Sequence, residues 1–200
     1  MQFIIEIDKL KHILRRSYVT GEPRPENDAE HSWHLAVMVL LLRECAGDPD
    51  IDLLRAVEMA LVHDLVEIHA GDTFLYDTES GADKAEREKA AAQKLFSLLP
   101  EDQAVELASL WKEFEAHVTS EAKYVRALDR LHPMLLNREA HGRTWKEHGV
   151  TVDMALDLNI PIVRDGAPCL VDFAREVLLD SRERCYFADT SDGPREIPEA

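Results

Sequence analysis

Basic residues are scarce in this chain. Its 200 residues carry 23 Lys and Arg against 39 Asp and Glu, a formal net charge of −16. A duplex-binding protein needs a basic stripe to neutralise phosphates, so no nucleic-acid partner is expected. A small anionic ligand stays open, because a few arginines in one pocket suffice for it. Cysteine is scarcer still. Cys45, Cys169 and Cys185 are widely spaced and form no CxxC pair. An odd, sparse set reads as free thiols in a reducing compartment. Long apolar runs are missing too. The longest, Leu35 to Leu42, is too short to span a bilayer, so no membrane partner is expected. In "MQFIIEIDKL", Glu6 and Asp8 stand where a signal peptide needs an unbroken apolar segment. The expected location is cytoplasmic.

No alternating strand pattern of useful length appears, and no repeat or linker splits the chain. With 46% hydrophobic residues there is material for one core, so the expectation is a single all-α domain over residues 1–184 with a flexible tail over 185–200. Ile4, Ile5, Leu10, Ile13 and Leu14 recur at helical spacing and predict a first helix from about Phe3 to Arg16. "TGEPRPEN" breaks it. Asn27 caps the second helix, with Glu30 in capping-box position. That helix carries Trp33, Val37, Leu41 and Leu42 and stops before Gly47. Trp33 and Trp111 read as core residues. A third helix starts at Asp50 or Asp52 and ends at Gly71, a C′ glycine. After the loop "GDTFLYDTESG", helices follow over about Asp83–Leu99, Glu101–His117 and from Thr119 or Ser120 through "YVRALDRLHPMLLN". A short helix near Val152–Leu158, a break at Pro161 and a final helix over Pro168–Arg184 complete the chain, and "TSDGPREIPEA" reads as disordered.

Chemistry concentrates in "VHDLVEIHAGD". His63, Asp64 and Glu67 share one face of a helix whose other residues, Met59 to Val66 and Ile68, belong in a core. A buried ionised carboxylate there needs a hydrogen-bond partner, an ion pair or a metal. His31, in the first turn of the second helix, and Asp129, mid-helix among Val125, Leu128 and Leu131, supply matching groups. In isolation Asp129 also reads as a salt-bridge partner of Arg126 or Arg130, and Asp72 as a turn residue after Gly71. Two histidines and two aspartates converging on one divalent ion would leave about two octahedral positions open, which suits Mn, Fe, Co or Mg better than a closed structural zinc site.

The pattern His31, His63-Asp64, Asp129 resembles the H…HD…D signature of the HD-domain metal-dependent phosphohydrolases. "LKHILR", "ENDAEHSWHLA", "HDLVEIHAGD", "LPEDQAVELASLWKEFE", "EAKYVRALDRL" and "LNIP" follow one another as in the 5′-deoxynucleotidase-like branch, over about Leu10 to Arg184. The resemblance implies that His31, His63, Asp64 and Asp129 ligate one divalent metal ion (Mn, Co, Fe or Mg). It implies that Glu67 and Asp72 position or activate water and handle protons, and that Arg15 contacts a nucleotide. The implied reaction removes phosphate from a (deoxy)nucleoside 5′-monophosphate by attack of a metal-associated water, in a homodimer. Arg16 stands where the deoxynucleotidase has a tryptophan that helps choose the sugar, which puts 2′-deoxy selectivity in question; Tyr18 is an alternative aromatic wall. His34 reads as packing or as a support to the ligands, and His69 and His117 as outside a one-metal site. Two rivals stand beside this reading. One is an alarmone or cyclic-nucleotide phosphohydrolase, although Ile68 replaces the aspartate of the alarmone motif HDxxED. The other is a non-catalytic nucleotide- or metal-sensing module.

Overall fold

The computed structural model describes residues 1–76 and 81–188. The fold is all-α with one small hairpin. Helix α1 (Gln2–Glu6) tightens into a 3₁₀ segment over Ile7–His12, and Ile13 then turns extended. Strand β1 (Leu14–Tyr18) follows and pairs antiparallel with β2 (Pro25–Asn27), Leu14 opposite Asn27 and Tyr18 opposite Pro25. The single helix expected over Phe3–Arg16 is therefore not formed. The reason is tertiary. Extended backbone alternates its side chains, so Arg15 and Ser17 turn inward while Leu14 and Arg16 face out. The inward Arg15 gains carboxylate partners that a local helix could not offer.

Helix α2 (Asp28–Leu41) opens on the expected capping box. Asn27 Oδ1 accepts from the Glu30 N–H at 3.0 Å, and Glu30 Oε2 accepts from the Asn27 N–H at 3.2 Å. Its buried face, however, is Leu35, Ala36, Met38 and Val39. Trp33 and Leu41, expected in the core, are 65% and 70% exposed. This helix is apolar on more than one face, and periodicity alone cannot say which stripe is covered.

Helix α3 (Leu53–Val62), capped by Asp52, ends before the site instead of running to Gly71. From Val62 the chain makes i→i+3 turns, with Leu65 N bonded to Val62 O and Glu67 N to Asp64 O, until the short α4 (Glu67–Ala70). The Ala60 carbonyl, which the Asp64 N–H would reach in a continuing helix, contacts the His63 ring at 2.9 Å. Gly71 ends α4 at φ +79° and ψ 150°, a positive-φ backbone open to glycine but not the αL cap of a C′ residue.

The remaining elements are α5 (Gly81–Phe96), α6 (Glu101–Ala116), α7 (Ser120–Glu139), α8 (Arg143–Glu147), α9 (Val152–Gly166) and α10 (Val171–Glu183). Helix α9 runs straight through Pro161, where a break was expected. Pro161 faces solvent while Ala155, Ile160 and Val163 are buried, so packing offsets the lost hydrogen bond. The end of α9 meets α7 very closely. A β-carbon on Gly166 would overlap the Lys123 carbonyl and crowd the Ala127 methyl. Gly166→Ala is expected to cost about 1–3 kcal/mol through overpacking, read as a lower melting temperature with the helical circular dichroism retained.

Two apolar clusters build the interior. One gathers Leu35, Val39, Met59, Tyr124, Leu128 and Val163; the other Phe3, Leu10, Val62, Leu65, Leu95 and Trp111. The α3–α4 turn lies at their seam, which is why polar groups there are both buried and gathered. Cys45 and Cys169, expected as free thiols, are joined in a disulfide between the short 3₁₀ segments that follow α2 and α9; Cys185 is free. The two lie 124 residues apart in sequence, so no local pattern announces the pair. The disulfide overturns the reading of three free thiols and removes the argument for a reducing compartment that rested on it. Among the described residues no helix is long and apolar enough to cross a membrane. Phe187 stacks on the buried Trp145 at 4.2 Å between ring centroids. Residues 77–80 of the expected loop and the stretch "TSDGPREIPEA" lie outside the described residues.

Candidate active site

Three elements bring the four expected ligands together. His31, fully buried, comes from the first turns of α2; His63 and Asp64 from the end of α3; Asp129 from the middle of α7. Donor atoms of His31, His63 and Asp64 all lie within 4.8 Å of one another. Asp129 Oδ1 is 3.1 Å from His31 Nε2 and 4.0 Å from His63 Nε2. The chemistry of this set fits a divalent cation. A carbonyl can only accept, so the His63 Nδ1 contact with Ala60 O puts a proton on Nδ1. Without a cation, burial is outweighed by Asp64, which raises the imidazole and favours a second proton on Nε2; when that proton leaves, Nε2 presents a lone pair. That Nε2 is buried and has no hydrogen-bond partner, although Asp64 Oδ1 is 3.1 Å away. An unpartnered lone pair facing carboxylates is what a cation satisfies.

The electrostatics agree with this donor set. Burial pushes the His31 imidazole down to about 4, with the Arg15 charge acting in the same direction. Burial opposes ionisation of Asp64 and Asp129. The His63 and Arg15 charges outweigh it at Asp64, and the His31 hydrogen bond outweighs it at Asp129. Both carboxyls stay below their ordinary range and are charged at neutral pH.

Arg15 is among the ligands and not apart from them. Its Nη1 donates to Asp64 Oδ2 at 2.8 Å and to Asp28 Oδ1 at 3.2 Å, and its Nη2 stands 4.0 Å from Asp129. Arg16, exposed on the opposite side of β1, lines the same cavity of about 410 Å³, together with Glu67 and Asp72. Tyr18 is committed elsewhere. Its hydroxyl bonds Glu147 at 3.0 Å, and the Arg143 guanidinium covers its ring at 3.8 Å. Glu67, Asp72 and Asp28 bring carboxylate oxygens within 4.8 Å of one another. Burial, then the Asp64 and Asp28 charges, push Glu67 strongly upward, and burial likewise raises Asp28 to about 7. At neutral pH this cluster therefore retains a proton.

Three buried groups escaped the sequence reading: Glu26, Asp28 and His132. Asp28 and Glu26 flank the Asn27 cap, where acidic residues are ordinary helix-start signals, which masks them. His132 follows Asp129 by one turn, and that spacing was the available signal. Its Nδ1 lies 2.9 Å from His31 Nδ1, and His34 packs against its ring at 4.1 Å. His69 lies 3.4 Å from Glu6 and 3.3 Å from Lys94, away from the ligands. His117 lines the cavity but joins no group of convergent donors among the described residues.

Comparison with known proteins follows the same lines. The HD domain family matches residues 7–170. Human 5′-deoxynucleotidase HDDC2 is 35% identical over 136 residues, covering 68% of this chain and 65% of the human protein. This chain thus spans a little under two thirds of that relative's length. The crystal structure of a predicted metal-dependent phosphohydrolase from Magnetospirillum magnetotacticum is 49% identical, covers 94% of each chain and superposes with a TM-score of 0.89. A cyanophage HD phosphohydrolase, DatZ, bound to dA and one catalytic Zn²⁺ ion, shares the fold at 23% identity and a TM-score of 0.52. With His31, His63, Asp64 and Asp129 gathered at the seam of two cores and the family match spanning residues 7–170, this chain belongs to the HD-domain family.

Proposed function

We propose that this protein is a metal-dependent phosphohydrolase that removes phosphate from (deoxy)nucleoside 5′-monophosphates. The observation that carries the reading is the convergence of His31, His63, Asp64 and Asp129 on one point, with Glu67 and Asp72 lining the same cavity. The name of the human relative and the description of the Magnetospirillum structure support it. His31, His63, Asp64 and Asp129 would hold one divalent cation (Mn, Co, Fe or Mg), and that ion would supply polarisation of the phosphoryl group and a more acidic water.

The chain's own residues do the rest. Arg15 holds Asp64 in place through Nη1 and keeps Nη2 for a phosphate oxygen. Glu67 has a buried Oε2 without a partner, aligned with a cluster that retains a proton, so it takes or gives the proton at the attacking or leaving oxygen. Asp72 orients the water. We keep a homodimer and a cytoplasmic location as parts of the proposal. The exposed Trp33, Leu40 and Leu41 on α2 supply an apolar face for self-association.

The test is phosphate release from nucleoside 5′-monophosphates, sugar phosphates, alarmones and cyclic dinucleotides after chelation and reloading with single divalent ions. Release from 5′-monophosphates is the expected result. Release confined to alarmones or cyclic dinucleotides, or none from any substrate, overturns the reading. Sugar choice follows from Arg16 and Tyr18. An apolar wall rejects a ribose by leaving its 2′-hydroxyl unpaired, but Arg16 is exposed and donor-rich and Tyr18 is held by Glu147. The kcat/KM values for dAMP and AMP are expected to differ by less than about tenfold, or ~1.4 kcal/mol. A hundredfold preference for dAMP would assign sugar reading to another residue.

A further inference from the structure

A histidine nitrogen that binds a cation must present a lone pair, so the proton of the neutral ring sits on the other nitrogen and needs an acceptor there. For His63 the acceptor is the Ala60 carbonyl, and backbone alone settles which nitrogen is protonated. His31 has no such guarantee. Its Nδ1 lies 2.9 Å from Nδ1 of His132. A contact between two neutral imidazole nitrogens shares one proton, and either ring can own it. If His132 owns it, the His31 proton moves to Nε2, where Asp129 Oδ1 at 3.1 Å accepts it. The His31 lone pair then points away from the cation position.

The far side of His132 decides between these states. Its Nε2 faces Glu26 Oε1 at 3.6 Å, and Glu26 Oε2 stands 3.8 Å from Arg15 Nε and 3.7 Å from His31 Nδ1. Glu26 and His132 are 4% and 0% exposed, and Glu26 Oε2, His132 Nε2 and Arg15 Nε have no hydrogen-bond partners. A proton on His132 Nε2 would face the Glu26 carboxyl, whose 3.6 Å approach is an ion-pair distance and not a hydrogen bond, and would leave His132 Nδ1 bare to accept from His31.

The same proton count rules on a competing reading. Glu26, His34 and His132 hold donor atoms within 4.8 Å of one another and resemble a second cation site. A cation on His132 Nε2 would force the His132 proton onto Nδ1, and the His31 proton onto Nε2. The two sites exclude each other.

We propose that His132 and Glu26 are positioning residues that fix His31 with its proton on Nδ1, so that Nε2 is presented to the metal. The proposal rests on His31 being a ligand. Wild-type protein that binds no divalent cation would sink that underlying reading, whereas tight binding that ignores position 132 sinks this proposal alone.

The experiment is cation affinity by competition with a fluorescent chelator, on the full chain, using Mn²⁺. His132→Phe keeps a ring and removes the acceptor. It is expected to weaken Mn²⁺ binding about 10–100-fold, the scale for losing a group that orients a ligand. His132→Asn places an amide oxygen near the lost Nδ1 and should recover most of the affinity. Equal affinity in wild type and His132→Phe overturns the proposal. So does a His132→Asn variant that melts like wild type and binds as weakly as His132→Phe. A measurement on the wild type guards against a variant that fails to fold. In the full chain loaded with a diamagnetic divalent cation, imidazole ¹⁵N spectra should show His31 protonated on Nδ1 and His132 on Nε2. The opposite pair of tautomers overturns the proposal.

Discussion

Asp64→Ala is expected to purify without stoichiometric divalent cation and to release phosphate at the assay background. Two effects act together. One of four donors disappears from a set gathered within a few ångströms, and that donor is charged. The second effect is repulsion. Arg15 Nη1 donates to Asp64 at 2.8 Å, and without that carboxylate the guanidinium beside the cation position is less fully compensated. Such a charge in a water-poor site opposes a divalent ion strongly. The fold should survive, because Arg15 keeps Asp28 at 3.2 Å as a partner. Elemental analysis and circular dichroism on one sample decide the matter. Stoichiometric metal in a folded Asp64→Ala protein would remove Asp64 from the ligand set.

Glu67→Gln is expected to keep its metal while kcat falls roughly 10²–10⁴-fold, the scale for losing a positioned acid or base. The amide preserves size and hydrogen bonding but cannot exchange a proton at neutral pH. Stability should move the other way. Burial, then Asp64 and Asp28, push the Glu67 carboxyl up, so the folded state holds its proton more tightly than the unfolded chain. A raised carboxyl of this kind favours the fold below the unfolded value, 4.5, and that advantage is lost as pH rises through the folded value. At neutral pH the wild type therefore bears a strain that glutamine relieves. In metal-free protein Glu67→Gln should melt no lower than wild type. A residue kept for packing would show the reverse pattern, with stability lost and turnover intact. Near-normal kcat in metal-loaded Glu67→Gln would end its assignment to the chemical step.

The balance between local and distant information differs from element to element. Asn27 with Glu30, and Thr119 ahead of α7, opened their helices as their side chains dictate, because a cap is satisfied within one turn of chain. The HD pair and Glu67 were legible because charged groups in an apolar run conflict with the core around them. The length of α3 was not. The His63 ring reaches the Ala60 carbonyl, and the chain leaves α-helical geometry at His63 and Asp64.

The sequence by itself determined the helical class, the capped starts of α2, α3 and α7, the residues able to ligate a metal and the carboxylates beside them. These follow from periodicity and from chemistry carried within a few residues. Only the tertiary structure decided the β1–β2 hairpin, the covered face of α2, the Cys45–Cys169 link and the Glu26–His132–His31 array. Each joins groups that chain position does not relate, as His31 and His132 do across 101 residues. Arg15 extends because its carboxylate partners lie on α2, α3 and α7, and Trp33 stays exposed because α3 and α7 cover the opposite stripe. Local propensity is worth a fraction of a kcal/mol per residue, and burial or a charged partner outweighs it wherever the fold supplies one.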